Sequence, residues 1–359
     1  MMKFKKLWSI AIIFSFLALV FTGCSSNSSI NNSNVDQPLS RTEFMMDTIL
    51  TLKIYDKKDE KILDEAFNRL KEIENRMSIS IEDSDVSLIN KNAGIKPVQV
   101  HEDVYYVLKK AKYYATISNG AFDPTIGPIV DLWNINSDQP TERDSIPTDD
   151  EIKKALGLVN YNELELMDDN YVYLKRKGMK INLGGIVKGY AADEVKRIFT
   201  ENGVKSAIID LGGNIYAFGQ KLNGDPWNIG ITDPFEPSAS FVGVLPAIDK
   251  SIVTSGDYER YIIYNGKRYH HIIDCHTGYP ADNGVTSISI ISDNSIDGDA
   301  LSTTLFVLGV EEGLKLAEQL DGIEVIYVTK DKEVIVSEGI KGKLTLSNNE
   351  FKLKDYNIN

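Results

Sequence analysis

The apolar residues of this chain change period again and again, and that irregular alternation constrains the fold more than any other feature. Residues 44–55 (FMMDTILTLKIY) alternate in part and read as one strand. Residues 60–77 then place Leu63, Phe67, Leu70, Ile73 and Met77 at helical spacing, with charges on the other face. Further helices are expected over 103–117, closed by Asn119-Gly120, over 149–158 and over 187–199. Residues 163–167 and 171–175 flank Asp168-Asp169-Asn170 as a hairpin, and 205–210 and 214–218 read as strands joined through Gly212-Gly213. From there to Ser292 the pattern is mostly strand. A helix over 297–308 stops at Gly309, followed by a helix over 311–320 and a strand over 323–329. Strands and helices interleave without a regular βαβ rhythm, which favours an α+β fold over a doubly wound sheet. Only Cys24 and Cys275 are present, so with Cys24 committed elsewhere no intrachain disulfide is expected and packing must hold the fold.

The first 40 residues stand outside that pattern. Lys3, Lys5 and Lys6 precede an apolar run over 7–21, then Thr22-Gly23 and Cys24. The run is shorter than the roughly 20 residues a membrane-spanning helix needs, and fits the hydrophobic region of a secretory signal. Small residues directly before a cysteine resemble the bacterial lipobox. The resemblance implies a signal peptide over 1–23, cleavage before Cys24 and a lipid on its thiol. An uncleaved anchor helix is the other reading. Residues 24–40 include SSNSSINNSNVDQ, which is too poor in apolar side chains to join a core and reads as a flexible tether. Residues 41–359 are then left as one folded domain.

Four segments carry side chains with chemistry. In DGDALSTTLFVLG (297–309), Asp299 and Thr303 are four apart on a helix and share one face. A carboxylate and a hydroxyl so placed suit a hard cation such as Mg²⁺, which uses few protein carboxylates; a capped helix whose Thr bonds back to its own turn is the alternative. In NLGGIVKGYAAD (182–193), two glycines before a helix offer backbone N–H groups to a phosphate, or simply a turn. Three of the four histidines, His270, His271 and His276, fall within HHIIDCHTGYP, where a zinc site and ordinary surface or packed histidines both stay open. SNGAFDPTIGPIVDLW (118–133) is punctuated by Gly and Pro; Phe122 and Trp133 are flat enough to flank a ring, with core packing the default. The formal net charge of −13 argues against a nucleic-acid partner, because phosphate binding needs clustered Lys and Arg.

The order of these segments is more telling than any one of them. FMMDT, MSIS…DSDVSLIN, GAFDPTIGPIVDLW, NLGGIVKGYAAD, DLGGN, TSGDY, HHIIDCHTG and DALSTTLFVLG follow one another over about residues 40–345. That series resembles the ApbE family of FAD:protein FMN transferases. The resemblance implies a T-fold-like α+β architecture of mainly antiparallel sheets with packed helices, and the cofactors Mg²⁺ and FAD, the latter as substrate. It implies transfer of FMN to a Thr or Ser hydroxyl of an acceptor protein, expected to be an extracytoplasmic redox protein, with release of AMP. Two other activities fit the same segments: an Mg²⁺-dependent FAD pyrophosphatase, and a flavin-binding lipoprotein without catalysis. Residue by residue, the resemblance assigns Asp299, Thr303 and the Gly185 backbone carbonyl to the metal, and His271 to the general base. Met46, Ala121, Phe122, Asp123, Asn182, Lys188 and Ile272 fall on its FAD contacts. The chain departs from the family pattern at Asp47, where Gly is usual, at Ser80 for Tyr, at Asn182 for Asp and at Cys275 for Pro. The expected location is the outer face of the cell membrane, held by the lipid on Cys24.

Overall fold

Nine strands form the main sheet, in the spatial order Leu39–Met45, Thr48–Ile54, Ser206–Leu211, Asn214–Gly219, Lys250–Gly256, Val285–Ser292, Glu324–Thr329, Glu333–Val336 and Lys352–Leu353. Every neighbouring pair is antiparallel except the last. The computed structural model describes residues 37–135 and 140–356. Cys24, the expected signal peptide and nearly all of the expected tether lie outside the described residues.

Alternation along the strands divides the core in two. On one face Leu50, Leu52, Ile209, Ile288 and Ile290 meet the apolar stripes of three helices, α1 (Glu60–Met77), α6 (Val187–Glu201) and α7 (Ser295–Ala317). On the other, Ile252, Ile291, Ile326 and Val328 pack against a small sheet built from Trp227–Thr232, Phe241–Ala247 and Thr345–Leu346. Val285–Ser292 lies between both cores and is buried along its whole length. A third cluster gathers Ile129, Trp133, Ile152 and Ile262, from α4 (Gly127–Trp133), α5 (Asp149–Leu156) and the hairpin Tyr261–Tyr264/Lys267–His270. The remaining helices are α2 (Asp85–Lys91) and α3 (Glu102–Ile117). The α+β reading stands.

One local expectation needs correction, one helix went unread, and the break expected at Gly309 is present. Residues 44–55 are not one strand: Leu39–Met45 and Thr48–Ile54 form a hairpin around Met46 and Asp47, both left-handed at φ 52° and 58°. The usual Asn-Gly signal of such a turn is missing, so the sequence reads straight through it. The Gly-Pro punctuation of 118–133 hides α4, in which Pro128 occupies the first turn, where a missing N–H does no harm. The helices over 297–308 and 311–320 follow each other directly as α7, broken at Gly309 (φ 77°, ψ −175°) and ending at Ala317. The Tyr327 hydroxyl bridges the Leu305 and Gly309 carbonyls beside that break, at 3.0 and 3.1 Å.

Candidate active site

Two helices placed side by side create the candidate metal position. A Cβ on Gly189 of α6 would lie 2.3 Å from the Ser295 carbonyl oxygen and 2.7 Å from Asp299 Cβ, so only glycine lets α6 and α7 approach this closely. The two helices are also laced together. Asp193 on α6 accepts from the Ser295 and Ile296 amides at 2.7 and 2.9 Å, capping the start of α7. In return Asp299 Oδ2, buried on α7, accepts from the Gly189 amide at 2.8 Å.

That arrangement leaves specific oxygens over. Asp299 Oδ1 takes no hydrogen bond among the described residues. Thr304 bonds back to the Ala300 carbonyl at 2.7 Å, which is the alternative open for either threonine, but Thr303 does not. Instead Thr303 Oγ1 faces Gly185, where an added Cβ would sit 3.1 Å from it and 3.3 Å from the Phe122 ring. The glycine thus opens a cradle between a hydroxyl and an aromatic ring, with Asp299 one helical turn before Thr303 on the same face of α7. Among the described residues no three His, Cys, Asp or Glu side chains converge as a metal cluster. The donors here are one carboxylate, one hydroxyl and a nearby backbone, a set that suits an oxygen-seeking cation completing its shell with phosphate oxygens.

Around this cradle the start of α6 is already partly satisfied: the Val187 N–H donates to the Leu183 carbonyl at 3.0 Å and the Gly189 N–H to Asp299, which leaves the Lys188 amide without a partner among the described residues. Lys188, in the first turn, forms no ion pair among the described residues. Asn182 accepts from the Gly184 amide at 2.8 Å and donates its own backbone N–H to the Pro124 carbonyl at 2.9 Å, which ties the glycine turn to the 121–125 loop. In that loop Ala121 and Phe122 are buried. Both oxygens of Asp123 are engaged, with Thr125 and with the Tyr161 amide, so its backbone is what remains for a ligand. Burial nonetheless pushes the Asp123 carboxyl up.

The three clustered histidines separate into distinct roles. His270 is buried; its Nε2–H donates to the Ala281 carbonyl at 2.8 Å and its Nδ1 accepts from the Ile272 amide at 3.3 Å, so both nitrogens are taken. His276 is exposed and pairs with Asp274 and the Asn119 carbonyl. His271 donates Nδ1–H to the Arg260 carbonyl at 3.2 Å, which leaves Nε2 unprotonated and without a partner among the described residues. Burial, with the nearby charges of His270, Arg260 and Lys188, pushes His271 down to about 3. Ile272 follows, buried, its carbonyl accepting from the Ala281 amide. Met46 belongs to the hairpin turn, with its N–H donated to Glu74 Oε1 at 2.7 Å.

The structure therefore brings Gly185, Phe122 and Thr303 together directly, with Asp299 one helical turn before Thr303, Asn182 and Lys188 on the same glycine turn and helix start, and Lys188 close enough to His271 to act on its charge. Trp133 is in the core instead, its Nε1–H on the Gly278 carbonyl and its ring stacked on Tyr269. Two clefts of about 530 and 690 Å³ are lined by other residues, and several of their charged groups are paired internally, as Lys110 with Asp297 and Arg69 with Asp103 and Glu194. Sequence reading missed Glu74, Gly189, Asp193 and Arg260. Of these, only the small residue at Gly189, one helical turn after Gly185, left a local signal.

Comparison with known proteins agrees with the fold and the family resemblance. The ApbE family profile matches residues 46–327. The FAD:protein FMN transferase of Treponema pallidum is 36% identical over 334 residues, covering 88% of this chain and 91% of that protein. That of Klebsiella pneumoniae is 37% identical over 299 residues, covering 83% and 91%. The crystal structure of the ApbE protein of Thermotoga maritima superposes with a TM-score of 0.77 at 31% identity, over 86% of this chain and all of that one. The flavin transferase ApbE of Vibrio cholerae gives 0.77 at 27%, over 86% and 99%. With its fold and its sequence both matching over most of their length, this chain belongs to the ApbE family.

Proposed function

We propose that this protein transfers FMN from FAD to a Thr or Ser hydroxyl of an acceptor protein and releases AMP. The observation that carries the reading is the cradle itself: Thr303 Oγ1 and Asp299 Oδ1, both without partners among the described residues, beside Gly185 and the start of α6. These groups fit Mg²⁺, held by Asp299, Thr303 and the Gly185 carbonyl. Such a cation, when bound, would neutralise pyrophosphate charge and ease the departure of AMP. The residues of the chain supply the rest. The Lys188 amide and its ammonium hold the anionic phosphates, offsetting the acidic surroundings. Met46, Ala121, Phe122, the Asp123 backbone, Asn182 and Ile272 receive the remainder of FAD. His271 Nε2 takes the proton of the acceptor hydroxyl as its oxygen bonds to the FMN phosphorus and the bond from that phosphorus to AMP breaks.

A low proton affinity makes His271 a weak base in the empty site. The anionic pyrophosphate raises it on binding, so the base is strengthened when its substrate is in place. The acceptor is proposed to be an extracytoplasmic redox protein, and the enzyme itself a lipoprotein anchored through Cys24 on the outer face of the cell membrane. That location rests on the positive start, the apolar run and Thr22-Gly23-Cys24. Replacing Cys24→Ser tests it: the variant leaves the membrane fraction or stays as precursor, and identical fractionation with identical fatty-acid labelling refutes it.

The deciding experiment for the activity is incubation with FAD, Mg²⁺ and a secreted acceptor domain, followed by denaturing electrophoresis and flavin fluorescence. Covalent flavin on the acceptor together with AMP is the expected result. Free FMN and AMP without labelled acceptor would replace transfer by hydrolysis, and FAD surviving intact would remove catalysis altogether.

A further inference from the structure

The turn that offers Met46 to the site is held open from two sides. Met46 and Asp47 both have positive φ, a conformation in which an L side chain crowds the neighbouring carbonyl. Asp tolerates it better than most residues and Met does not. Glycine would remove the difficulty at either position, yet neither residue is glycine. Two hydrogen bonds from outside the hairpin act on this turn. The Met46 N–H is bound by Glu74 Oε1 on α1 at 2.7 Å. The Asp47 carbonyl is bound by an Arg260 guanidinium nitrogen at 3.0 Å.

Arg260 is far from the turn in sequence and next to the base in space. It lies opposite His271 just beyond the paired strands Tyr261–Tyr264 and Lys267–His270. Its carbonyl accepts both the His271 backbone N–H, at 3.0 Å, and the imidazole Nδ1–H, at 3.2 Å. One residue therefore touches two parts of the site through chemically separate groups: its main chain sets the tautomer of His271, and its side chain reaches the Met46–Asp47 turn.

We propose that Arg260 is a positioning residue for flavin-nucleotide binding, its guanidinium latching the Met46–Asp47 turn in the shape the nucleotide requires. The inference rests on the FAD reading given above. It has a consequence that a general structural role lacks. Removing the side chain leaves the residue 260 carbonyl in place, so the orientation of His271 survives while the latch does not. Binding then suffers more than turnover. A glycine at position 47, which adopts positive φ without crowding, lowers the need for the latch.

The test is a four-variant cycle: wild type, Arg260→Ala, Asp47→Gly and the double variant. Each is assayed for KM of FAD, kcat of transfer, FAD affinity by flavin fluorescence and thermal midpoint. Arg260→Ala is expected to raise KM and the dissociation constant for FAD about tenfold, equivalent to about 1.4 kcal/mol. Its kcat at saturating FAD should stay within about threefold, in keeping with an untouched carbonyl. Asp47→Gly alone should change KM by less than about twofold, and in the double variant it should recover most of the lost affinity. Unchanged FAD affinity in a folded Arg260→Ala protein overturns the latch. So does a loss confined to kcat, or one that Asp47→Gly fails to recover. If the wild type itself neither binds nor consumes FAD, the functional reading falls instead, and the first measurement of the series shows which has failed.

Discussion

Adjacent threonines on α7 offer a clean separation of chemistry from folding. Thr303 and Thr304 differ in sequence by one position and in surroundings completely. Thr304 is fully buried and its hydroxyl donates to the Ala300 carbonyl at 2.7 Å. Thr303 is half-buried, and its hydroxyl faces the Gly185 cradle without a protein partner. Valine replaces either with nearly the same shape. Thr304→Val removes a buried hydrogen bond and should cost about 1 kcal/mol of stability. The Ala300 carbonyl keeps its ordinary helical acceptor role, so the loss should not be larger. Thr303→Val breaks no protein hydrogen bond and should change stability by no more than about 0.5 kcal/mol. If the hydroxyl is a metal ligand, the same change should raise the Mg²⁺ concentration for half-maximal transfer by roughly 10- to 100-fold, the scale of lost metal-site support. Chemical denaturation and Mg²⁺ titration of the transfer rate read the two effects independently. The reasoning is refuted if Thr303→Val keeps the wild-type Mg²⁺ dependence, or if Thr304→Val shifts it as much.

Three more outcomes follow from the same geometry. Asp299→Asn retains an oxygen for the Gly189 amide and should fold, yet lose transfer by at least about a hundredfold, since a metal Lewis acid contributes several kcal/mol; full activity would dismiss the metal assignment. His271→Ala should lose about 10²–10⁴-fold in transfer rate while FAD binding persists, and wild-type kcat/KM should show no loss on acidification through the ordinary histidine range, because His271 is held neutral down to about 3. A break near pH 6.5 that disappears in His271→Ala would contradict this. His270 governs stability: its folded value is lowered to about 4 from 6.5, chiefly by burial, so the unfolded chain binds its proton first. Its contribution is therefore complete above about pH 6.5 and falls as pH drops toward 4, by about 2 kcal/mol at pH 5. Denaturation at pH 7.5 and 5 should show a loss smaller by about that amount in His270→Gln than in wild type, the remainder coming from His271, which is lowered in the same way.

The sequence carried the local half of this protein well. Periodicity placed α1 at residues 60–77 without error, because its apolar stripe and its charged face are both complete within one segment. The Asp299/Thr303 pairing was legible for the same reason, since helical geometry alone puts them on one face. What local pattern could not choose was whether Thr303 or Thr304 bonds back to its own turn. That choice depends on Gly185, over a hundred residues away, leaving space in front of one hydroxyl only. The Met46–Asp47 turn was missed because its conformation is imposed from α1 and from Arg260 rather than by its own residues, which favour extension.

The same distinction explains why this site is assembled from so many segments. A nucleotide with two phosphates presents charge that an acidic chain must meet locally, and no single element here supplies enough of it. The start of α6 gives the amide and side chain of Lys188, α7 gives one carboxylate and one hydroxyl, and the strand hairpin ending at His270 delivers an imidazole with its tautomer fixed. Each element is ordinary alone. Their convergence depends on contacts that tolerate little change: the missing Cβ at Gly189, without which the helices cannot approach, and the exchange of carboxylates between them, Asp193 capping α7 while Asp299 answers the Gly189 amide. Asp299 thus holds the helix pair with one oxygen and offers the other to a cation. Substitutions at this residue should consequently split by which oxygen they preserve, and Asp299→Asn is informative because it can keep the structural contact while removing the charge.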